Sequence, residues 1–152
     1  KTTSAADLAA AVRLAEQTAE AMYSRDAASR LIGLEIISVR PGYSRLMMVV
    51  RPDMVNGHHI CHGGFLCTLA DSAFAYACNA YNDLTVASGL SVDSLAPGRE
   101  GDRLTAAAEE VSLAGRTGVY DVTVTNQRGE RIAVFRGRSY RMKGRPTVPP
   151  AV

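Results

Sequence analysis

One apolar stretch, residues 63–80, constrains the fold of this chain more than any other part of its sequence. The stretch is long enough for about five helical turns. The segment that follows, residues 84–142, has strand-like runs of apolar and β-branched residues separated by turn residues at Pro97-Gly98, Gly115 and 126–129. Such runs are typical of strands joined by hairpins. The sequence therefore predicts an α+β fold, in which an antiparallel sheet accompanies one long inserted helix.

The other elements follow from similar patterns. Residues 5–32 have apolar positions at helical spacing, and we expect Ser24 to cap a short second helix that ends near Ile32. Pro41-Gly42 lies between two strand-like runs and predicts a hairpin. The central helix is expected at about residues 64–81, and the strands at 35–39, 43–50, 85–95, 103–113, 117–125 and 132–142. We expect one domain over residues 1–152, with flexible ends at 1–14 and 144–152.

The central helix is apolar on two sides. At about 100° per residue, one stripe consists of Phe65, Leu66, Leu69, Ala73, Tyr76 and Ala77. The second stripe consists of Cys67, Asp71, Phe74 and Cys78. A helix with two apolar sides is buried twice, and here we expect a curved sheet on one side and a partner molecule on the other. The pattern therefore favours an oligomer.

The composition excludes several classes of protein. Hydrophobic residues make up 47% and charged residues 21% of the 152 positions, which is typical of a folded domain. The net charge of +2 gives no electrostatic reason to bind nucleic acid. Three cysteines are an odd number, which indicates a reducing compartment instead of a disulfide framework. The chain shows no signal-peptide pattern, and Asp71 and Asn79 interrupt its most apolar stretch, so we expect a cytoplasmic protein.

Asp71 is the first candidate for chemistry. It lies in the middle of the predicted helix, on the side that carries Cys67 and Cys78. An ionised carboxylate in such a place is paired, protonated or functional, because its burial without partners is costly. The alternative is an aspartate that bonds a backbone or serine group at an interface. As a nucleophile or general base, Asp71 must be ionised at the working pH.

His62-Gly63-Gly64 stands directly before the same helix. Glycines there let another molecule approach the backbone, and the first N–H groups of a helix have no intrahelical acceptor. Such an N–H can stabilise a developing oxyanion. Upstream, the amide of Asn56 could orient a water or a carbonyl group. The alternatives are a helix entry with glycines chosen for packing, and an asparagine that only forms a turn.

His62 and Asp71 are nine residues apart. In a helix this spacing places them on opposite sides and about 13 Å apart along the axis. The two side chains therefore do not meet within one copy of the chain. If both serve one reaction, the site is shared between two subunits, and a symmetric dimer carries two such sites.

All three histidines and all three cysteines fall between positions 58 and 78, which also suggests a metal site. However, His58 and His62 have no glutamate between them, and the chain contains no Cys-x-x-Cys pair. Cysteines in apolar company on a helix usually serve as small hydrophobic residues. We therefore expect no metal, with Cys67 and Cys78 lining the site around Asp71.

This part of the chain resembles a known family. The run Asn56-Gly57-His58, the run Cys61-His62-Gly63-Gly64-Phe65-Leu66 and residues 69–79 resemble the central signature of the PaaI-type phenylacetic acid degradation thioesterases. Residues 117–122 and 135–140 resemble that family too, so the likeness covers about residues 15–142. The resemblance implies a hotdog fold, with an antiparallel sheet wrapped around a long central helix and an N-terminal helical segment. It also implies a homotetramer built from dimers.

The resemblance further implies hydrolysis of acyl-coenzyme A (acyl-CoA) thioesters, with aromatic phenylacetyl- or hydroxyphenylacetyl-type acyl groups. Asp71 matches the family's nucleophile or general base, and Gly63 matches the residue whose N–H polarises the thioester carbonyl. His62 and Asn56 match positions that orient the thioester and the water. The two halves of each site come from different subunits in this family. Coenzyme A is part of the substrate, and no separate cofactor is expected.

Further contacts with substrate are less specific. Many relatives carry a serine or threonine on the strand after the helix, where this chain offers Ser88 or Ser91 without a clear match. Basic and glycine-rich segments are implied to meet the phosphates of coenzyme A, and Arg136 and Arg138 could instead form a solvated strand face. The candidates for binding substrate or coenzyme A are Gly64, Ser88, Arg116, Thr117, Gly118 and Arg136.

Two other functions compete with hydrolysis. A hotdog-fold hydratase or dehydratase would require a catalytic histidine paired with an acid, and the spacing of His62 and Asp71 fits this less well. A non-catalytic protein that binds coenzyme A would share the fold, but it has no evident need for a desolvated carboxylate such as Asp71.

Overall fold

The computed structural model describes residues 2–150. Its elements are helices α1 (Ala5–Tyr23), α2 (Ala27–Leu31) and α3 (Gly63–Asn79), strands β1 (Glu35–Arg40), β2 (Tyr43–Val49), β3 (Thr85–Ser94), β4 (Arg103–Ala114), β5 (Thr117–Thr125) and β6 (Arg131–Arg141), and a 3₁₀ turn at Pro52–Met54. Within this range, no helix is both long and apolar enough to cross a membrane.

The six strands form one antiparallel sheet in the order β1-β2-β4-β5-β6-β3. The hairpin expected at Pro41-Gly42 is confirmed, because Arg40 pairs with Tyr43. After β2 the chain runs through α3 and enters the sheet again at its far edge, as β3. Helix α3 packs against the sheet on the strands from β1 to β6. This arrangement confirms the expected α+β hotdog architecture.

The core lies between α3 and the sheet. Strand β5 alternates as its sequence predicts, with Tyr120, Val122 and Val124 buried and the intervening residues half-buried. The Phe74 ring lies 5.5 Å from Tyr120 and 5.8 Å from Phe135, measured between ring centroids. A Cβ atom at Gly137 would stand 2.9 Å from the Phe74 ring, so this position in β6 requires glycine. The central helix can therefore lie close to the sheet.

Hydrogen bonds involving side chains occur near both ends of the described chain. Helix α1 begins at Ala5, so residues 5–14 are helical, and Ser4 and Asp7 form a reciprocal capping box at its start. Near the other end, Asn82 exchanges two hydrogen bonds of 2.8 Å with the backbone of Val148. The side chain of Asn82 therefore ties Val148 to the segment that follows α3. Residues 151 and 152 lie outside the described range.

The cap of the second helix also differs from the prediction. Ser24 ends α1, and Asp26 caps α2 by accepting a hydrogen bond from the Ser29 N–H at 3.0 Å. The Asp26 carboxylate also accepts bonds from the Ser29 hydroxyl at 2.6 Å and from the Tyr76 hydroxyl of α3 at 3.0 Å. Desolvation, with the negative charge of Asp26 adding to it, raises the pKa of Tyr76 far above its usual value. The tyrosine therefore stays a donor, and its bond ties α2 to the central helix.

Candidate active site

The start of α3 is organised by His62. This residue is the N-cap of the helix, and its Nδ1 accepts a hydrogen bond from the Gly64 N–H at 2.9 Å. The His62 carbonyl accepts the Phe65 N–H at 3.0 Å, and the His62 N–H donates to the Met54 carbonyl at 2.8 Å. Within residues 2–150, no group accepts a hydrogen bond from the Gly63 N–H. The helix therefore presents the Gly63 N–H as a free donor, whereas the N–H of Gly64 is bonded within the chain.

Asn56 serves the loop that leads to this helix. Its Oδ1 accepts the His58 N–H at 2.9 Å and the Ile60 N–H at 3.4 Å. The turn-forming interpretation is therefore correct for the side-chain oxygen. The Nδ2 group has no acceptor in the described part of the chain, and Asn56 lines the same pocket as Gly63. The residue can thus hold its loop and still donate from its amide nitrogen to a ligand.

The pocket that joins these residues has a volume of about 480 Å³. Asn56 and Gly63 bring polar groups to it, and its other lining residues are mostly apolar: Ile60, Cys61, Leu66, Ser94, Leu95, Ala96, Pro97 and Gly98. A hydrogen bond of 2.7 Å from the Cys61 N–H to the Gly98 carbonyl fixes the distance between its two walls. The pocket is therefore lined by two residues that have free N–H donors and by mostly apolar residues, as expected for a site that binds an acyl group.

Asp71 lies elsewhere on the same helix. It is half-buried, it does not line the pocket of Asn56 and Gly63, and burial raises the pKa of its carboxyl group. Its carboxylate accepts no hydrogen bond within residues 2–150. The alternative interpretation, in which Asp71 bonds a serine or backbone group, is therefore not seen within a single copy of the chain. The expected separation of Asp71 from His62 is consistent with this placement. Within one chain, Asp71 and Gly63 therefore do not meet in one pocket.

The cysteines behave as hydrophobic residues. Cys61 and Cys78 are buried, and desolvation raises the pKa of their thiols to about 11 and about 12. Desolvation and then the nearby charge of Asp71 raise the pKa of the Cys67 thiol as well. All three thiols are therefore protonated at neutral pH and poor nucleophiles. Among residues 2–150, no group of three or more histidine, cysteine or acidic side chains is placed to hold a metal ion.

The residues considered for substrate binding are scattered. Arg136 forms a bidentate ion pair with Asp121, at 2.6 and 2.8 Å, which agrees with the solvated strand face. The Ser88 hydroxyl donates to the Arg138 carbonyl at 3.2 Å, beside an irregularity in the pairing of β3 with β6. None of the candidate residues apart from Asn56 and Gly63 lines the acyl-sized pocket.

The turn between β4 and β5 contains the other candidates. Arg116 is exposed there, and the Thr117 hydroxyl donates to the Ala114 carbonyl at 3.2 Å. Gly118 is buried against Ser139, whose Oγ would stand 2.5 Å from an added Cβ. Packing alone therefore requires glycine at position 118. Of the side chains in this turn, the exposed Arg116 is best suited to contact a phosphate.

Sequence reasoning missed one wall of the pocket. The loop at 94–98 was interpreted only as the end of β3, but it lies against the loop that carries Asn56. Pro97-Gly98 was the available signal, because a glycine that allows close backbone approach is needed there. An added Cβ at Gly98 would stand 3.1 Å from Cys61.

Comparison with known proteins agrees with this geometry. The model of the thioesterase superfamily matches residues 58–133. The chain is 47% identical to the acyl-coenzyme A thioesterase PaaI of Escherichia coli K12, over 84% of this chain and 91% of that protein. Its fold superimposes on the structure of the E. coli PaaI protein with a TM-score of 0.86, at 46% identity, covering 88% of this chain and 97% of the other.

A more distant structure adds a ligand. The hypothetical thioesterase protein of Streptococcus pneumoniae TIGR4, determined with coenzyme A, matches with a TM-score of 0.70 at 27% identity, covering 72% of this chain and 89% of the other. The family model, the identity to PaaI and the shared architecture agree. The chain belongs to the thioesterase superfamily and is a thioester hydrolase with the hotdog fold.

Proposed function

We propose that this chain hydrolyses acyl-CoA thioesters whose acyl group is aromatic, of the phenylacetyl or hydroxyphenylacetyl type, and that it serves phenylacetate catabolism. The observation that carries the proposal is that Gly63, whose N–H has no acceptor among residues 2–150, lines a pocket together with Ile60, Leu66 and Leu95. A volume of about 480 Å³ has room for a phenyl ring beside the thioester. The likeness to the E. coli acyl-coenzyme A thioesterase supports an acyl-CoA substrate, and the likeness to a protein of the phenylacetic acid degradation operon supports the aromatic acyl group.

In the proposed reaction, the Gly63 N–H donates a hydrogen bond to the thioester carbonyl oxygen and stabilises the negative charge that develops there. Asp71 either removes a proton from the attacking water or attacks the carbonyl carbon itself. The carbon–sulfur bond then breaks, coenzyme A leaves as its thiolate, and the thiolate takes a proton. If Asp71 attacks directly, water hydrolyses the resulting anhydride. His62 and Asn56 hold the Gly63 N–H and the substrate in position.

We propose that Asp71 acts on the thioester bound by the Gly63 of a second subunit. Two observations support a shared site. Asp71 is half-buried without a hydrogen-bond partner among residues 2–150, and it is absent from the lining of the pocket that contains Gly63. In addition, β3 lies at the end of the strand order and exposes Val86 and Leu90. Pairing with a second copy would cover this edge, and we propose a homodimer that assembles further into a homotetramer.

The phosphates of coenzyme A are proposed to lie outside the acyl pocket. The exposed Arg116 and the neighbouring Thr117 suit this role, because both lie in a turn that the solvent reaches. Arg136 contributes only if it leaves its ion pair with Asp121. A cytoplasmic location and activity without an added cofactor remain predictions.

A substrate panel tests the proposed function. We expect kcat/KM for phenylacetyl-CoA to exceed that for acetyl-CoA and for palmitoyl-CoA by about tenfold or more, because the short apolar pocket fits one aromatic ring. Released thiol is the measurement, and hydration of an enoyl-CoA is followed in parallel. Hydration without hydrolysis would favour the hydratase alternative, and binding of coenzyme A without either reaction would favour the non-catalytic one.

A further inference from the structure

One polar side chain, Ser94, stands in an otherwise apolar part of the acyl pocket. Ser94 is the last residue of β3, and it pairs with Ala133 of β6. Side chains of residues directly opposite in an antiparallel pair lie on the same face of the sheet, and Ala133 is fully buried. Val92, two residues earlier on that face, packs against the core. Ser94 therefore extends the helix-facing side of the sheet, where an apolar residue is expected.

The hydroxyl of Ser94 is free within the described part of the chain. The residue is exposed and lines the pocket, and no group among residues 2–150 forms a hydrogen bond with its Oγ. The chain directly after it is fixed, because the N–H groups of Leu95 and Ala96 both donate to the Ile132 carbonyl, at 2.8 and 3.2 Å. The hydroxyl therefore has a fixed place at the pocket wall and is available to a ligand.

The other polar groups of the pocket come from a different part of the fold. Asn56 and Gly63 lie in the loop before α3 and at its first residue, and they are assigned to the thioester. The Cys61 thiol donates to the His62 carbonyl at 3.7 Å. Among the described residues that line the pocket, Ser94 carries the only hydroxyl group. A thioester held at the start of α3 therefore leaves Ser94 to the remainder of the acyl group.

We propose that Ser94 selects the acyl group, by forming a hydrogen bond with a hydroxyl substituent on the aromatic ring. This inference rests on the proposed function and decides between the two acyl groups that it includes: hydroxyphenylacetyl-CoA is preferred over phenylacetyl-CoA. A serine hydroxyl both donates and accepts, so it matches a phenol in either direction. Ser94 is thus a specificity-determining residue and takes no part in the cleavage of the thioester.

The preference follows from what each ring does to the hydration of Ser94. Without substrate, solvent hydrates this exposed hydroxyl. A phenyl ring in the pocket removes that contact with solvent and offers no hydrogen bond in return, which is the costly outcome for a polar group. A ring with a hydroxyl group restores the bond. Sites that bind a substrate hydroxyl discriminate against the analogue without it, and for a serine in an open pocket we expect about tenfold in kcat/KM.

Variants of Ser94 test the inference with three thioesters: phenylacetyl-CoA, meta-hydroxyphenylacetyl-CoA and para-hydroxyphenylacetyl-CoA. In the parent chain, kcat/KM for the better hydroxylated thioester is expected to exceed that for phenylacetyl-CoA by about tenfold. Ser94→Thr keeps the hydroxyl and should keep this preference. Ser94→Val has nearly the shape of the threonine variant without its hydroxyl, and should reduce the preference to less than about twofold. Both new residues suit a strand, so both variants should fold.

Ser112→Ala is the matched control, because it removes an exposed serine hydroxyl from β4, outside the pocket, and should leave the preference unchanged. Two results would overturn the inference. Equal kcat/KM for the hydroxylated and unsubstituted thioesters in the parent chain would mean that Ser94 does not recognise the ring. A preference that survives in Ser94→Val would mean that another group binds the ring hydroxyl. Neither result affects the proposed hydrolysis of phenylacetyl-CoA, which is measured in the same assay.

A binding measurement keeps the inference separate from the proposed function. Ketone analogues, in which a methylene group separates the sulfur from the carbonyl carbon, cannot be hydrolysed, and calorimetry gives their Kd. The parent chain is expected to bind the better hydroxylated analogue about tenfold more tightly than the unsubstituted one, and Ser94→Val to bind both about equally. Equal Kd values in the parent chain would contradict the inference whether or not the chain hydrolyses thioesters. Absence of hydrolysis of all three thioesters, with the difference in Kd present, would refute the proposed function and not the recognition by Ser94.

Discussion

Asp71→Asn is expected to lower kcat for phenylacetyl-CoA by about 10²- to 10⁴-fold, because the amide can neither accept a proton from water nor attack the thioester. KM should change little, since asparagine has the size and shape of aspartate. Steady-state kinetics of the purified variant is the measurement. A variant with the kcat of the parent chain would rule out the proposed role of Asp71.

The stability of the same variant separates chemistry from folding. Burial raises the pKa of Asp71, so the folded chain binds this proton more tightly than the unfolded chain does. The charged carboxylate therefore destabilises the fold above the raised pKa, and this cost is absent below the pKa of the unfolded chain. Asp71→Asn should thus keep or increase the melting temperature. In the parent chain, kcat should fall on the acidic side at a higher pH than the usual aspartate range.

Gly63→Pro is expected to lower kcat by about 10²- to 10³-fold, because proline removes the single N–H that the substrate oxygen uses. The substitution suits the fold. Proline is favoured at the first position of a helix, and His62 before it already has extended backbone angles, φ −58° and ψ 132°. A Cβ at position 63 meets no atom within 4 Å. Loss of activity would therefore reflect the missing donor and not a disrupted helix.

Gly63→Ala is the matched control for this deletion. It adds a side chain to the same position and keeps the N–H, so kcat is expected to stay within about threefold of the parent chain. Circular dichroism and the melting temperature check that both variants fold. If the alanine and proline variants lose activity equally, bulk at position 63 is the cause, and the proposed role of the Gly63 N–H is wrong.

The elements of the fold that depend on local pattern could be predicted. Alternation in β5, the Pro41-Gly42 hairpin and the long apolar helix all carry their signals within a few residues, and the structure confirms each of them. The pairing of β3 with β6 has no local signal, because those strands meet only after the chain has crossed the sheet. The start of α1 at Ala5 agrees with the helical spacing of residues 5–32, whereas the cap of α2 at Asp26 was not predicted.

The candidate site likewise contains residues that could be predicted from the sequence and contacts that could not. Gly63, Asn56 and Asp71 could be selected from residue type and spacing. A free backbone donor, an amide and a carboxylate in and just before one apolar helix are uncommon unless they serve a function. The ion pair of Arg136 with Asp121 could not, since it joins adjacent strands 15 residues apart in sequence. The bond from Gly64 to His62 was also missed. It depends on the rotamer of one imidazole, which sequence spacing does not specify.

A mixed-subunit experiment tests the shared site most directly. Asp71→Ala and Gly63→Pro chains, each inactive alone, are unfolded together in equal amounts, refolded and assayed for hydrolysis of phenylacetyl-CoA. A mixed dimer then combines the intact Gly63 of one chain with the intact Asp71 of the other at one of its two sites. Random pairing therefore predicts recovery of about a quarter of the parent activity. Recovery near that level supports a site built from two subunits, and no recovery in a verified mixed dimer would contradict it.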